Sequence, residues 1–280
     1  MEDFMYIFLW VLLVVIIVIG LLLFLIMPGK STSTDRAAFQ NRNIAHRGLH
    51  TKDKKIPENS MAAFKNAVKH RYGIELDIQL TKDEQVVVFH DKTLNRVCNT
   101  DGRVDAYTYE ELCSFSLHKT KERIPLFQEV LSMVNGQVPL IVELKTGSRN
   151  QLLCEKAYEI LKQYKGNYCI ESFNPYLVRW FRKNAPHILR GQLSSCPKSL
   201  KKDDLSWTKA FFLGNLLCNV LSRPHFIAYD KTYVPILARI ARRMVSTKAV
   251  WTIKDTDDYR RYQSENDIVI FELYKPLTKW

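Results

Sequence analysis

Charge is missing from the first part of the chain. No charged residue occurs between Phe4 and Gly29, and no basic residue precedes Phe4. Within that gap Phe4–Met27 (FMYIFLWVLLVVIIVIGLLLFLIM) is apolar apart from Gly20 and the Tyr6 hydroxyl. As a helix rising about 1.5 Å per residue it would reach roughly 36 Å, enough to cross a bilayer core with some tilt. A cleaved secretory signal is the rival reading, and what it needs is absent. Glu2 and Asp3 stand where a basic n-region belongs, the apolar run is too long, and no Ala-x-Ala site follows. A retained transmembrane helix over residues 4–28 is therefore expected.

Other absences narrow the reading further. Basic residues lie on one side of the span only: Lys30, Arg36 and Arg42, then Lys52, Lys54 and Lys55. The positive-inside tendency places the N-terminus outside and the large C-terminal part on the cytoplasmic side of a single-pass membrane protein. The six cysteines (Cys98, Cys113, Cys154, Cys169, Cys196, Cys218) form no Cys-x-x-Cys pair and no small-domain spacing. Scattered thiols of this kind suit a reducing compartment. No internal repeat and no long low-complexity segment interrupts the remainder. Ser31–Ala38 (STSTDRAA) reads as part of a linker over 29–40, and residues 41–280 read as one domain. The basic residues are dispersed, without a stacking platform, so nucleic acid is not an expected partner. No obligate protein partner is implied. The net charge of +12 favours anionic headgroups or phosphate-bearing substrates, although solubility alone would also account for it.

What is present is alternation. Strand-like runs occur at Asn43–His46, Gly73–Leu80, Gln85–His90, Leu140–Lys145, Tyr168–Ser172, Leu189–Leu193, Phe226–Tyr229, Ala249–Ile253 and Ile268–Leu273. Helical spacing marks Asn59–Lys69, Arg149–Tyr164, Pro175–Lys183, Tyr233–Val245 and Asp255–Ser264. About eight strands alternating with helices is the α/β pattern of a (β/α)₈ barrel, and of a doubly wound open sheet as well. One stretch, Lys209–Leu221 (KAFFLGNLLCNVL), is apolar on nearly every side yet too short to span a membrane. It is either a barrel helix buried on several sides or an interfacial helix lying on the bilayer, with Lys198, Lys201 and Lys202 just upstream.

The strand ends carry ionisable groups. His46 and Arg47 close the first strand, and Glu75-Leu76-Asp77 sits in the second, where period-two geometry points both carboxylates to one face. His90 ends the return strand, and Glu143-Leu144-Lys145 repeats the same-face spacing. Three carboxylates inside a barrel repel unless a cation neutralises them, and an all-oxygen set selects a hard ion, Mg²⁺ or Ca²⁺. Each element has an ordinary counterpart: an exposed strand face, a structural imidazole, a neighbouring ion pair. Together they are hard to place on a surface, because the strands that bear them are otherwise too hydrophobic to face water.

The ordered set of His46-Arg47-Gly48, Pro57-Glu58-Asn59-Ser60 with Phe64, Glu75-Leu76-Asp77 and His90-Asp91 resembles the glycerophosphodiester phosphodiesterase family. The likeness continues through Asp91-Lys92-Thr93-Leu94-Asn95-Arg96, Ile124-Pro125-Leu126, Glu129-Val130-Leu131, Glu143-Leu144-Lys145, Ser172-Phe173 and Trp251-Thr252. It spans about Asn43 to Tyr274. The resemblance implies a TIM barrel with a small insertion after the second strand, and metal-dependent hydrolysis of glycerophosphodiesters, possible lysophospholipid substrates included. It implies that Glu75, Asp77 and Glu143 hold one divalent cation and that His46 and His90 form the acid–base pair. Arg47 and Lys145 would hold phosphate oxygens, Glu58 would orient Arg47 or the metal-side network, and Phe173 and Trp251 would wall the pocket. Membrane lipid is the expected neighbour.

Two places depart from the family pattern. The last strand lacks the usual Thr-Asp-x-Pro ending and reads Phe271-Glu272-Leu273-Tyr274-Lys275-Pro276, which puts the pocket rim in doubt but no metal or catalytic position. The turn Lys82-Asp83-Glu84-Gln85 lacks the usual Asp-Gly. A phosphatidylinositol-type phospholipase C is the nearest enzymatic alternative, disfavoured by the three carboxylates and Pro-Glu-Asn-Ser. A catalytically silent, membrane-tethered lipid-binding protein is the other, and no expected ligand or histidine is missing.

Overall fold

The computed structural model describes residues 2–31, 36–202 and 205–277. Nine strands form one sheet: β1 (Arg42–Ala45), β2 (Gly73–Leu80), β3 (Val86–Val88), β4 (Leu140–Leu144), β5 (Tyr168–Ser172), β6 (Arg190–Ser194), β7 (Phe226–Asp230), β8 (Lys248–Ile253) and β9 (Ile268–Phe271). Strand β1 pairs in parallel with both β2 and β9, so the sheet closes. Eight parallel strands make a (β/α)₈ barrel, and the open-sheet alternative falls. Strand β3 lies outside the ring, antiparallel to β2. All nine strands coincide with expected runs, with ends shifted by a few residues.

Period two sorts the strand residues. Ile74, Leu76 and Ile78 of β2 face outward into the core shared with the surrounding helices, which sends Gly73, Glu75 and Asp77 inward. The lower interior is apolar, built from Ile44, Ile141, Cys169, Leu189, Leu193, Phe226, Ala228, Ala249, Ile268 and Ile270 over a floor formed by Phe39. Phe39 is 1% exposed, so the end of the segment read as a linker is built into the barrel. Gly191 has no room for a side chain here, since a Cβ would lie 2.2 Å from the Phe226 ring. Two residues further along several of these strands the side chains turn polar: His46 after Ile44, Glu143 after Ile141, Glu171 after Cys169, Glu272 after Ile270. The sequence period thus carries the chain from a dry core to a charged C-terminal rim.

The helices begin where side chains can satisfy their free N–H groups. Ser60 caps Met61–Lys69 by accepting from Ala63 N at 3.1 Å, and Asn174 caps Pro175–Asn184, whose Pro175 fills the first turn. After β3 the chain makes a small insertion with its own core of Val87, Phe89, Leu94, Val97, Val104, Leu112, Leu117 and Ile124. In the turn without Asp-Gly, Glu84 takes the left-handed conformation at φ 64°.

The apolar segment 209–221 is not one helix. It divides into Trp207–Gly214 and Asn219–Ser222, broken where Leu216 takes φ 59°. Leu216, Leu217 and Cys218 are buried, whereas Phe211 and Phe212 are 50% and 48% exposed. The N-terminal helix α1 (Glu2–Ile26) is long and apolar enough to cross a membrane, with mean hydropathy 3.5 over an 18-residue window of Asp3–Ile26. Its last turns dock on the barrel, where Leu22, Leu25 and Ile26 join Leu216, Leu217, Ile227, Tyr229, Ala238, Ala241 and Val245. All six cysteines are free.

Candidate active site

The rim gathers the expected residues. Glu75 and Asp77 of β2 and Glu143 of β4 bring carboxylate oxygens within 4.8 Å of one another, because parallel pairing sets Asp77 directly against Glu143. All three are buried. Burial, with Asp77 and Glu143 beside it, pushes the Glu75 carboxyl well above the usual carboxylate range. Burial also raises Glu143. Burial opposes ionisation of Asp77 too, but Lys145, His90 and Arg47 outweigh it and hold Asp77 well below that range. Asp77 Oδ1 is buried without a hydrogen bond, although the Lys145 ammonium lies 3.3 Å away as an ion pair. Three clustered carboxylates with an oxygen left over fit a hard divalent cation.

Around this cluster, cations are fixed by carboxylates. Lys145 Nζ donates to Glu143 Oε1 at 2.8 Å. Burial alone would lower its pKa, but Glu143 and Asp77 raise it, so the ammonium stays charged. Arg47 takes φ 52° at the end of β1, which aims its backbone N–H at Glu75 Oε2 (2.8 Å) and its Nε towards Asp77 Oδ2 (3.4 Å). Gly48 follows at φ 76°, and a Cβ there would lie 2.9 Å from both Ala63 and Phe64. The glycine is needed for helix packing against the turn.

Glu58 is the centre of a bridge across the mouth. It accepts from Arg47 Nη1 at 2.7 Å and from Arg96 Nη1 and Nη2 at 2.8 and 2.6 Å. Arg96 in turn grips Asp91 through Nε and Nη2 at 2.7 and 2.9 Å. Asp91 receives His90 Nδ1 at 2.7 Å. Glu58 thus holds Arg47, whose Nε in turn pairs with Asp77 Oδ2 of the acidic triad. Asn59, also left-handed at φ 52°, donates from Nδ2 to Asp77 Oδ2 at 2.8 Å and fixes that carboxylate.

Each histidine is backed by a carboxylate. His46 Nδ1 donates to Glu272 Oε1 at 3.1 Å, which leaves the Nε2 lone pair directed into the site. Burial, and secondarily the Arg47 charge, lowers the His46 pKa to about 4, against the pull of Glu272. His50 Nε2 lies 3.5 Å from the same Glu272 oxygen. Burial works against ionised Glu272, but the hydrogen bond from His46 and the nearby His50 ring hold its carboxyl well below the usual carboxylate range. Phe173 and Trp251 meet edge to face, centroids 5.6 Å apart, above the barrel interior.

Two residues were not anticipated. Glu272 was placed in a rim segment of no catalytic consequence, and the structure sets it against His46. Its signal was available, since it follows the inward-facing Ile268 and Ile270 by period two. Glu171 is a further interior carboxylate, 1% exposed, raised by burial and by Glu143 and Asp77. It stands beside Glu143 in the β4–β5 register.

A closed barrel with a buried acidic triad, two carboxylate-backed histidines and two fixed cations on its rim defines a class of TIM-barrel proteins. The glycerophosphoryl diester phosphodiesterase family model matches residues 46–271, and the chain belongs to that family. It is 39% identical over 164 residues to a glycerophosphodiester phosphodiesterase of Caldanaerobacter subterraneus subsp. tengcongensis, covering 55% of this chain and 66% of that one. It is 35% identical over 151 residues to lysophospholipase D GDPD1 of Rattus norvegicus, covering 49% of this chain and 46% of the relative. The chain thus spans less than two thirds of the length of these curated relatives. Among solved structures, a Thermotoga maritima glycerophosphodiester phosphodiesterase superposes with TM-score 0.61 at 26% identity, covering 82% and 93% of the two chains. An Oleispira antarctica phosphodiesterase in complex with the product sn-glycerol-3-phosphate superposes with TM-score 0.67 at 22% identity, covering 84% and 94%, a likeness of fold.

Proposed function

We propose that this chain is a membrane-anchored phosphodiesterase that hydrolyses glycerophosphodiesters, lysophospholipids among them, to glycerol 3-phosphate and an alcohol. The observation that carries the reading is the convergence of the buried Glu75, Asp77 and Glu143 triad with His46, His90, Arg47 and Lys145 on one rim. The relatives named above, and the product held by the Oleispira protein, support the substrate class.

The chemistry follows from charge. A phosphodiester is anionic and repels nucleophiles, and its transition state spreads charge over the non-bridging oxygens. Arg47 and Lys145 offer fixed positive charge to those oxygens. A divalent ion, Mg²⁺ or Ca²⁺, held by Glu75, Asp77 and Glu143, would add Lewis-acid stabilisation of that charge. One histidine takes the proton of the substrate's neighbouring glycerol hydroxyl as its oxygen attacks phosphorus. The other donates a proton to the alkoxide as the P–O bond to the alcohol breaks. The cyclic phosphate so formed is opened by water with the proton transfers reversed. His46, kept neutral by burial and holding its Nδ1 proton on Glu272, is suited to the base role. His90, backed by Asp91, is suited to the acid role. Phe173 and Trp251 shape the apolar wall against the glycerol or alcohol group.

Residues 4–28 form the span, residues 29–40 connect it to the domain over 41–280, and the flanking lysines and arginines favour a cytoplasmic barrel. The purified full chain, offered glycerophosphocholine, glycerophosphoethanolamine, glycerophosphoglycerol and a lysophospholipid with Mg²⁺ and Ca²⁺ in turn, tests the activity. Release of no glycerol 3-phosphate from any of them would refute it. Thiol labelling of sealed cells tests the topology. Cys113 is the better reporter, because burial and Asp91 push Cys98 up to about 11 and Cys196 is buried. Labelling before the membrane is opened would place the barrel outside.

A further inference from the structure

Outside α1, exposed apolar bulk is unevenly placed. Tyr176 follows β5, Trp207, Phe211 and Phe212 lie in the excursion after β6, and Tyr233 and Ile236 follow β7. Leu273, just past β9, is on the same rim. Among the described residues beyond Met27, the exposed large apolar side chains away from that rim are Met244 and Leu277. A soluble barrel has no reason to collect such residues on the face that holds its chemistry, and exposed apolar side chains gathered at one end of a fold point to an interaction surface.

The excursion after β6 is fixed at the rim. Ser194 Oγ, at the end of β6, donates to Leu213 O at 2.8 Å, and Tyr229 OH, near the end of β7, donates to Gly214 O at 2.7 Å. The helix Trp207–Gly214 therefore stands over β6 and β7 while Phe211 and Phe212 remain half exposed. The same segment also holds the anchor. Leu217 N donates to Phe212 O at 3.0 Å, Leu216 and Leu217 pack with Ile26, and Asn219 Nδ2 donates to Ile26 O at 2.8 Å. Lys198, Lys201, Lys202 and Lys209 flank the aromatics, four lysines against the two acidic residues Asp203 and Asp204 of the sequence.

We propose that the catalytic rim is a bilayer-facing surface, whose Trp207, Phe211 and Phe212 enter the boundary between headgroups and acyl chains of the membrane that α1 spans. This rests on the reading of α1 as a span. Aromatic side chains settle at that depth, and neighbouring lysines match anionic headgroups. The consequence is a mouth turned to the membrane, which takes diesters held in the bilayer in preference to those diffusing in water.

The test uses the full chain in nanodiscs of phosphatidylcholine and phosphatidylglycerol. Phe211→Cys, made with Cys98→Ser and Cys113→Ser so that the remaining native thiols are buried, is labelled with an environment-sensitive fluorophore. Its emission should be blue-shifted, and nitroxide lipids labelled near the headgroup should quench it at least twofold. Phe211→Ser/Phe212→Ser should lower kcat/KM for a bilayer-held lysophospholipid about tenfold and leave that for soluble glycerophosphocholine within twofold. A water-like, unquenched probe would overturn the proposal, as would equal losses on both substrates. Failure of the span reading shows separately, as release of the parent chain from membranes by alkaline carbonate, and takes the proposal with it. Failure of the phosphodiesterase reading shows as no turnover of either substrate by the parent, and the quenching then decides the docking.

Discussion

Replacing Glu58 by glutamine removes one negative charge from the bridge that joins the two sides of the mouth. The side chain is 12% exposed and accepts from both Arg47 and Arg96. Burial opposes its ionisation, but the Arg96 hydrogen bond and the two guanidinium charges prevail, and its pKa falls from 4.5 to about 2. At about 1.36 kcal/mol per unit, that shift corresponds to roughly 3 kcal/mol of stability at neutral pH. The sign follows from the lowered folded-state pKa. The contribution is complete above the unfolded value of 4.5 and is lost as pH falls through about 2.

Glu58→Gln should therefore lower the stability of the barrel by about 3 kcal/mol at pH 7 and by only about 2 kcal/mol at pH 3.5. Equilibrium urea unfolding of the full chain in detergent, followed by circular dichroism at both pH values, reads the difference. The same variant should lose about tenfold in kcat/KM, because Arg47 is no longer held against Asp77 and the phosphate site. A stability difference that is small and independent of pH would show that solvent screens the bridge and that Glu58 does not order the mouth.

His46→Ala and His90→Ala should each reduce turnover by roughly 10²–10⁴-fold in the glycerophosphodiester assay, with the double variant scarcely worse than either, since both act on one step. EDTA should abolish activity and Mg²⁺ or Ca²⁺ restore it, while Glu75→Gln should show weakened cation binding by isothermal titration as well as lost turnover. Glu272→Gln should cut kcat about tenfold and leave KM within about twofold, the pattern of a residue that positions His46 without touching substrate; an unchanged kcat would return Glu272 to the rim.

The architecture was legible because β-branched, apolar runs alternate with stretches of helical spacing along the chain, and the triad because Glu-Leu-Asp and Glu-Leu-Lys each place two ionisable groups on one face. Barrel closure was not legible from periodicity, since it depends on β1 meeting β9 across more than two hundred residues; only the family likeness favoured it. The role of Glu272 was obscured because the departure from Thr-Asp-x-Pro drew attention to the shape of the ending, while inward-facing register continued one step past Ile270. Segment 209–221 defeated a one-helix reading because its break lies at Leu216, a residue that gives no warning of a left-handed conformation. Arg96 illustrates a different limit. It belonged to a quoted motif, but its grip on Glu58 and Asp91 exists only once the insertion folds against the barrel.

The junction between α1 and the barrel shows why the two form one structural unit. A helix leaves its last four carbonyls without partners and carries negative charge at that end, and α1 has no basic residue in its last turn to answer either need. The barrel supplies both. Arg223 donates from Nη1 to Phe24 O and Met27 O at 2.9 and 2.7 Å and lies 4.6 Å from the Phe24 ring centroid. Asn219 takes Ile26 O, and Gly29 N donates to Pro224 O at 2.9 Å. A chain cut at Asn41 would leave Arg223 and Asn219 without these carbonyls, uncover Leu216 and Leu217, and delete the Phe39 floor. Losing a buried phenylalanine alone costs about 3–5 kcal/mol. The N-terminal helix is thus part of the fold that holds the site, and its seat on the barrel is set by hydrogen bonds and packing that a free tether would lack.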